Sequence, residues 1–500
     1  MKGFNRRSLL RGLATGLAAS AIPSGLLLRN DLAHAADGDD GKRFLVVVSA
    51  TGGGSIVDSF LPAMVSQMSD PALAATVNAF QDTEVSQPVG SNIRAVNNLG
   101  NYLVFGSDYS PSQFLASHYE DMVIMANEGT SVNHQVAQKR SVTGAGINGG
   151  RTLMEAVASV HGAGMPLPNC NMSVGGYIEP GSDAAVPDWA RSEIIADPFL
   201  FAAATHGRRG VVGVPSEGLV NRARGLREQL DDISPFGQTF VNSSARASYL
   251  NSRRQKMPQI ESEDLITKLM MVGDAGGLLS SYGLASTPDI AFINGAFPNL
   301  TEPLQAQAAL AFLLIKNKAS SVVTLGPNFQ PAMLASGYFS TALAFDFSHT
   351  NHRFGQNVSW SILLKQVHFL IELLKFFPYD ESNPDAGTFW DRTVIYVATE
   401  FGRSQDRPAG VDVGAFGSGH GLNNGSLLIS PLLKGNTIFG GVNHDTAMTY
   451  GFDPVCGAPT PGTLQIREGH VYSAICQALG ISFPGQHDMS AMMAGSSCPG

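Results

Sequence analysis

The chain has 500 residues, of which 44% are hydrophobic and 15% charged, with a formal net charge of −9. This length suits one large core with elaborations, or two smaller domains, rather than a minimal fold. The acidic balance argues against nucleic acid as a partner.

The chain opens MKGFNRRSLLRG, with Arg6 and Arg7 followed by Ser8, Leu9 and Leu10, then a Gly/Ala-rich apolar run over residues 13–28. Ala33, His34 and Ala35 supply a small-residue site for a signal peptidase. This is the order of a twin-arginine export signal over residues 1–35, and it implies passage through the twin-arginine translocase to a periplasmic or secreted location. A short N-terminal helix or anchor is the alternative reading, but Gly16, Pro23 and Gly25 interrupt the run. Cleavage after residue 35 removes Lys2, Arg6, Arg7, Arg11 and Arg29 together with Asp31, four units of net positive charge, and leaves −13. No long apolar stretch follows, so no membrane span is expected after cleavage.

Beyond the polar DGDDGK linker, residues 44–48 form a short apolar run that opens into Thr51-Gly52-Gly53-Gly54, the pattern of a buried strand ending in a loop. Similar runs at 122–126, 321–325, 394–398 and 426–429 predict further strands. Helices are predicted over 304–318, announced by Thr301-Glu302-Pro303, over 358–377, stopped by Pro378, and over 468–479, stopped by Gly480. The alternation implies an α/β sandwich with a mainly parallel sheet in a single domain over residues 36–500. Residues 66–118 and 165–300, richer in Asn, Ser, Pro and charge, read as insertions on that sheet. Of the four cysteines, Cys476 lies in an apolar helical run and reads as a buried thiol, whereas Cys456 and Cys498 occupy loops where a disulfide is permitted.

In parallel sheets, sites form beyond the C-terminal strand ends, and four polar clusters fall there. Asp346, His349 and His352 gather within Phe345-Asp346-Phe347-Ser348-His349-Thr350-Asn351-His352, a density of carboxylate and imidazole that suits a divalent metal. A polar loop whose histidines cap helices is the plainer reading. Glu400 in Thr399-Glu400-Phe401-Gly402-Arg403 closes an apolar strand, where a desolvated carboxylate needs a metal, a donor set or a cation such as Arg403. His420 sits between glycines in Gly417-Ser418-Gly419-His420-Gly421, as a ligand or as part of a mobile loop. Ser131, Asn133, His134 and Gln138 begin a helix, either at an anion site or as a simple N-cap.

These clusters, in this order behind a twin-arginine signal, resemble the bacterial "domain of unknown function 1501" family of the alkaline phosphatase and sulfatase-like superfamily. VIYVATEFGRS and the Gly-rich loop ending at His420 carry most of the likeness. FDFSHTNH resembles the family's Asp-Thr-His segment, with Asp346 or Phe347 at the acidic position, and NHQVAQ its His-containing segment. The resemblance spans residues 44–480. It implies an alkaline phosphatase-like three-layer sandwich and divalent metals (Zn, Mn, Ca or Mg), with Asp346, His349 and His420 resembling the ligands of one metal and Glu400 a carboxylate of another. The chain departs from the pattern where Ser49, Thr51 and the glycines stand in place of an acidic residue, and where Phe401 replaces an imidazole ligand.

The expected activity is metal-dependent hydrolysis or transfer of a phosphate or sulfate ester on a small-molecule or glycan substrate. Ser131, Thr130 or Thr51 would serve as nucleophile, and His134 or His352 as acid or base. A non-catalytic envelope protein that binds through a degenerate site is the alternative.

Overall fold

The computed structural model describes residues 41–97, 109–205, 216–251, 253–254, 260, 264–327, 332–333, 339–340, 344–463 and 466–497. The expected export signal and Cys498 lie outside the described residues.

β1 (Phe44–Ser49), with the sequence FLVVVS, is buried along its whole length. A strand covered on both faces needs no polar alternation, which is why it reads as an unbroken apolar run. Phe44, Val46 and Val48 join one core cluster, and Leu45 and Val47 the other. The other strands are β2 (Met122–Glu128), β3 (Asn169–Asn171), β4 (Glu193–Ile194), β5 (Val322–Leu325), β6 (Thr393–Ala398), β7 (Asn423–Ile429) and β8 (Thr437–Phe439). They form one eight-stranded sheet in the order β8-β2-β7-β6-β1-β5-β3-β4.

All neighbours run parallel except where β7 meets β6 and β2, to both of which it is antiparallel. The start of β7 therefore lies at the same sheet edge as the ends of β1, β2, β5 and β6.

Helices cover both faces. α1 (Ile56–Phe60), α2 (His134–Thr143), α3 (Leu153–His161), α4 (Pro303–Lys316), α5 (His352–Phe376) and α6 (Glu468–Ala478) are the ones that bear on the site. Leucines and phenylalanines of α4 and α5 pack in the cluster that takes Phe44, Val46 and Val48, while residues of α3 and α6 pack in the other. The termini follow local chemistry. Glu302 caps α4 by accepting from Leu304 N and Gln305 N ahead of Pro303, and Asn351 caps α5 by accepting from Phe354 N.

The sheet extends further than its apolar runs suggest. β3 and β4 fall inside residues 165–300, so that range supplies sheet strands as well as surface structure. The helix expected from 358 begins at His352, six residues earlier, because Asn351 provides the cap. Cys476 is buried, and burial pushes its thiol up to about 12. Cys170 and Cys456 are also free thiols. Among the described residues no helix is long and apolar enough to cross a membrane.

Candidate metal centre

The ends of β2 and β6, the start of β7 and the segment before α5 meet at one edge. Asn133 caps α2 by accepting from Val136 N, which sets His134 in its first turn. Asp346 and His349 lie on a short 3-10 turn, Ala344–His349, just before α5. His420 begins a two-residue ladder in which Gly402 pairs with Gly421 and Arg403 with His420.

Three imidazole nitrogens lie around one carboxylate oxygen. Asp346 Oδ1 lies 3.7 Å from His134 Nε2, 3.1 Å from His349 Nε2 and 3.4 Å from His420 Nε2. The two latter imidazole nitrogens are 2.8 Å apart. One ligand atom each from His134, Asp346 and His420 lies within 4.8 Å of the others, close enough to share a metal ion. Ligands at zinc-like distances of ~2.0–2.1 Å stand ~2.9–3.3 Å from one another for angles between square and tetrahedral, so small shifts would suffice.

The second ring nitrogens fix the tautomers. His134 Nδ1–H donates to Glu400 Oε1 at 2.6 Å, and His420 Nδ1–H donates to the Val132 carbonyl at 2.9 Å. In the neutral imidazoles this leaves Nε2 as the lone-pair atom facing Asp346. A carboxylate or carbonyl behind a histidine is the usual support for a metal-binding imidazole.

Glu400 sits behind the cluster. Its side chain is fully buried, and both oxygens are occupied: Oε1 accepts from Gly52 N at 2.9 Å as well as from His134, and Oε2 accepts from Gln138 Nε2. Expected as a metal ligand, Glu400 is placed with three donors on its carboxylate, one of them His134, whose ring it orients. Arg403 pairs with Asp346 at 3.1 Å rather than with Glu400. Its buried guanidinium also donates to the carbonyls of Gly52, Gly53, Phe345 and Ser418, tying three loops together. Gly53 makes room for it: φ is +79°, and a Cβ there would stand 2.5 Å from the Phe401 ring and 3.0 Å from Arg403 Nε. Phe401, at the position of an expected imidazole, stacks on His420 with centroids 4.1 Å apart.

The charges are mutually dependent. The hydrogen bond to Glu400 holds the His134 pKa above its usual value against the effect of burial, helped by the Glu400 and Asp346 charges. Burial would raise the Asp346 carboxyl, but Arg403, His349 and His134 outweigh it and keep the carboxyl below its usual range. Burial lowers the pKa of His349, joined by Arg403, His420 and His134 and opposed by Asp346.

His352 is not part of this cluster. It is fully buried at the start of α5, with Nε2 3.0 Å from Asp58 Oδ2. Asp58 also accepts from Ser55, Asn78 and Gln405. This buried network anchors α1 to α5 and places His352, expected as an acid or base, in the interior rather than beside Asp346. Of the hydroxyl candidates, Thr130 Oγ1 donates to Glu468 Oε1 at 2.7 Å, and Ser131 Oγ accepts from Asn133 N at 3.2 Å. Thr51 is fully buried.

Sequence reasoning missed that His134 faces Asp346 and that Glu400 stands behind it. The one available signal was the helical spacing of His134 and Gln138, which puts both side chains on one face toward the same carboxylate. No family model matches the chain, and no curated protein matches it.

Proposed function

We propose that His134, Asp346, His349 and His420 hold a divalent cation, and that the chain is an exported metal-dependent hydrolase or transferase of phosphate or sulfate esters, with an alkaline phosphatase-like fold. The observation that carries this reading is the convergence of three imidazole nitrogens on one oxygen of Asp346 at a sheet edge. An imidazole-rich set favours zinc over calcium or magnesium, which prefer all-oxygen sites. When bound, such a cation supplies Lewis-acid polarisation of an ester oxygen and offsets the negative charge that develops there.

The residues around it have distinct tasks. Glu400 holds His134 in the tautomer that presents Nε2, and the Val132 carbonyl does the same for His420. Arg403 keeps Asp346 ionised and its loop in place. His349, with 45% of its side chain exposed, is the solvent-facing member of the group and marks the side from which a substrate would approach.

The placement of Thr130 on Glu468 and of Thr51 in the interior favours water over those two hydroxyls as the attacking group. It equally supports a second reading, in which the chain binds a glycan or partner without turnover. Mature protein purified after export, loaded with Zn²⁺ or Mn²⁺ and assayed on p-nitrophenyl phosphate and p-nitrophenyl sulfate, separates the two. Turnover lost in His420→Ala supports the enzyme. A metallated protein with no turnover of either ester class removes the hydrolase and leaves the binding protein, and absence of bound metal under replete conditions removes both forms of the metal centre.

A further inference from the structure

A second group of metal-type donors lies far from the first. His368 and Glu372 stand one turn apart on α5, and His118 ends the helix Pro111–His118, which packs beside α5. One ligand atom from each of the three lies within 4.8 Å of the other two. His118 Nε2 and His368 Nδ1 are 2.9 Å apart, within the ~2.9–3.3 Å that separates two ligands of one zinc-like ion. The sixteen residues from His352 to His368 cover about 24 Å of helix at 1.5 Å per residue, so this group is separate from the Asp346 cluster.

Its surroundings suit a bound cation. His118 is buried, with the Phe114 ring 4.8 Å from its own, and Tyr109 stacks on His368 at 5.4 Å. Glu372 contributes a carboxylate, so a divalent ion would be partly neutralised where water is scarce. The i, i+4 spacing of His368 and Glu372 presents both side chains on one helix face without distortion. His118 arrives from a different segment, so an ion there would cross-link the helix at 111–118 to α5.

We propose that His118 Nε2, His368 Nδ1 and the Glu372 carboxylate form a second divalent-cation site, of the zinc or copper class, that pins the helix at 111–118 to the long core helix. Two imidazoles and a carboxylate match the ligand preferences of those ions. The role is structural, since the site tethers two helices and lies outside the Asp346 cluster.

The test is metal stoichiometry on the full mature chain. Metal-free protein is titrated with Zn²⁺ and with Co²⁺, and bound metal is counted by elemental analysis after desalting. A His349→Ala/His420→Ala background removes the first cluster without touching this one. That background is expected to keep one equivalent of zinc and to show a zinc-dependent rise in melting temperature, and both are lost when Glu372→Gln or His368→Gln is added. Both added substitutions keep helix-compatible side chains, so circular dichroism before metal addition serves as the folding control. Zinc retained at the same stoichiometry after both substitutions, or no zinc bound by the background protein, overturns the proposal. Neither result bears on the Asp346 cluster, which is read separately from the zinc lost between wild type and the background.

Discussion

Glu400→Gln tests the metal-centre geometry with a change of one atom. In the wild type, Glu400 accepts on both oxygens: Gly52 N and His134 Nδ1 on Oε1, Gln138 Nε2 on Oε2. A glutamine keeps the shape but replaces one acceptor with an amide donor. If its oxygen stays with Gly52 and His134, its NH₂ faces the Gln138 NH₂. Flipping Gln138 would relieve that contact but break the bond its Oε1 accepts from Gly176 N at 2.7 Å. If the glutamine turns the other way, its NH₂ faces His134, which must move its proton to Nε2 and so loses its lone pair toward Asp346.

Either way one buried donor is left opposite a donor, a cost of about 1–3 kcal/mol. Loss of such a supporting partner typically lowers metal affinity about 10–100-fold, or about 1.4–2.7 kcal/mol in binding. The assay is competition for Zn²⁺ against a chromophoric chelator, with circular dichroism to show that the variant is folded. A folded variant that binds zinc within a factor of two of wild type would refute the assignment of Glu400 as the residue that positions His134.

Other outcomes follow from features away from that contact. Asp58→Asn breaks the buried pair with His352 and should cost about 3–5 kcal/mol in urea unfolding, with zinc affinity at the Asp346 cluster retained; a variant as stable as wild type would contradict the anchoring role. Burial would raise the Asp58 carboxyl, but His352 by charge and hydrogen bond, with Ser55 and Gln405, holds it below its usual value. The unfolded state therefore takes up the proton first, and the stabilisation, complete above the ordinary carboxylate range, is lost as pH falls through the folded-state value.

His470 should contribute in a higher window: burial and the stacked His487 ring, 3.8 Å away, lower its pKa to about 4. The unfolded imidazole protonates near 6.5 and the folded one does not, so stability drops as pH falls from about 6.5 to about 4. The urea midpoint of His470→Gln should fall less over that range, and an unchanged pH profile would count against it. Gly402→Ala would bring a Cβ to 1.5 Å from the Asn423 carbonyl oxygen. It should destabilise by at least about 1–3 kcal/mol, read as a lowered melting temperature, and a wild-type value would show that the ladder beside His420 yields more readily than its packing implies.

Much of the central sheet was legible because β1, β2, β5 and β6 are covered on both faces and so write themselves as apolar runs. β3 was not, since its sequence is Asn-Cys-Asn; Asn169 donates to the Ala190 carbonyl and Asn171 to the Tyr177 carbonyl, so each side-chain amide finds an acceptor inside the core. β4, only two residues long, leaves no periodicity to read. Asp346, His349 and His420 stood out as candidates because carboxylate and imidazole crowd into short segments. The supporting role of Glu400 was hidden for the opposite reason: its donors His134 and Gln138 lie 266 and 262 residues away. The second histidine group was invisible, because His118 and His368 are 250 residues apart and each reads singly as an ordinary polar position on a helix.

The reversal of β7 has a consequence for how the candidate centre tolerates change. Because β6 ends and β7 begins at the same edge, a single excursion of chain carries Glu400, Arg403 and His420, and the Gly402–Gly421 and Arg403–His420 pairing staples its two arms at the base. The tip near residues 408–410 is exposed. The excursion thus behaves as a socket with an interchangeable rim. Residues can be added or removed at the tip while the stapled base keeps its spacing, so variation at the rim need not disturb the placement of Glu400, Arg403 and His420.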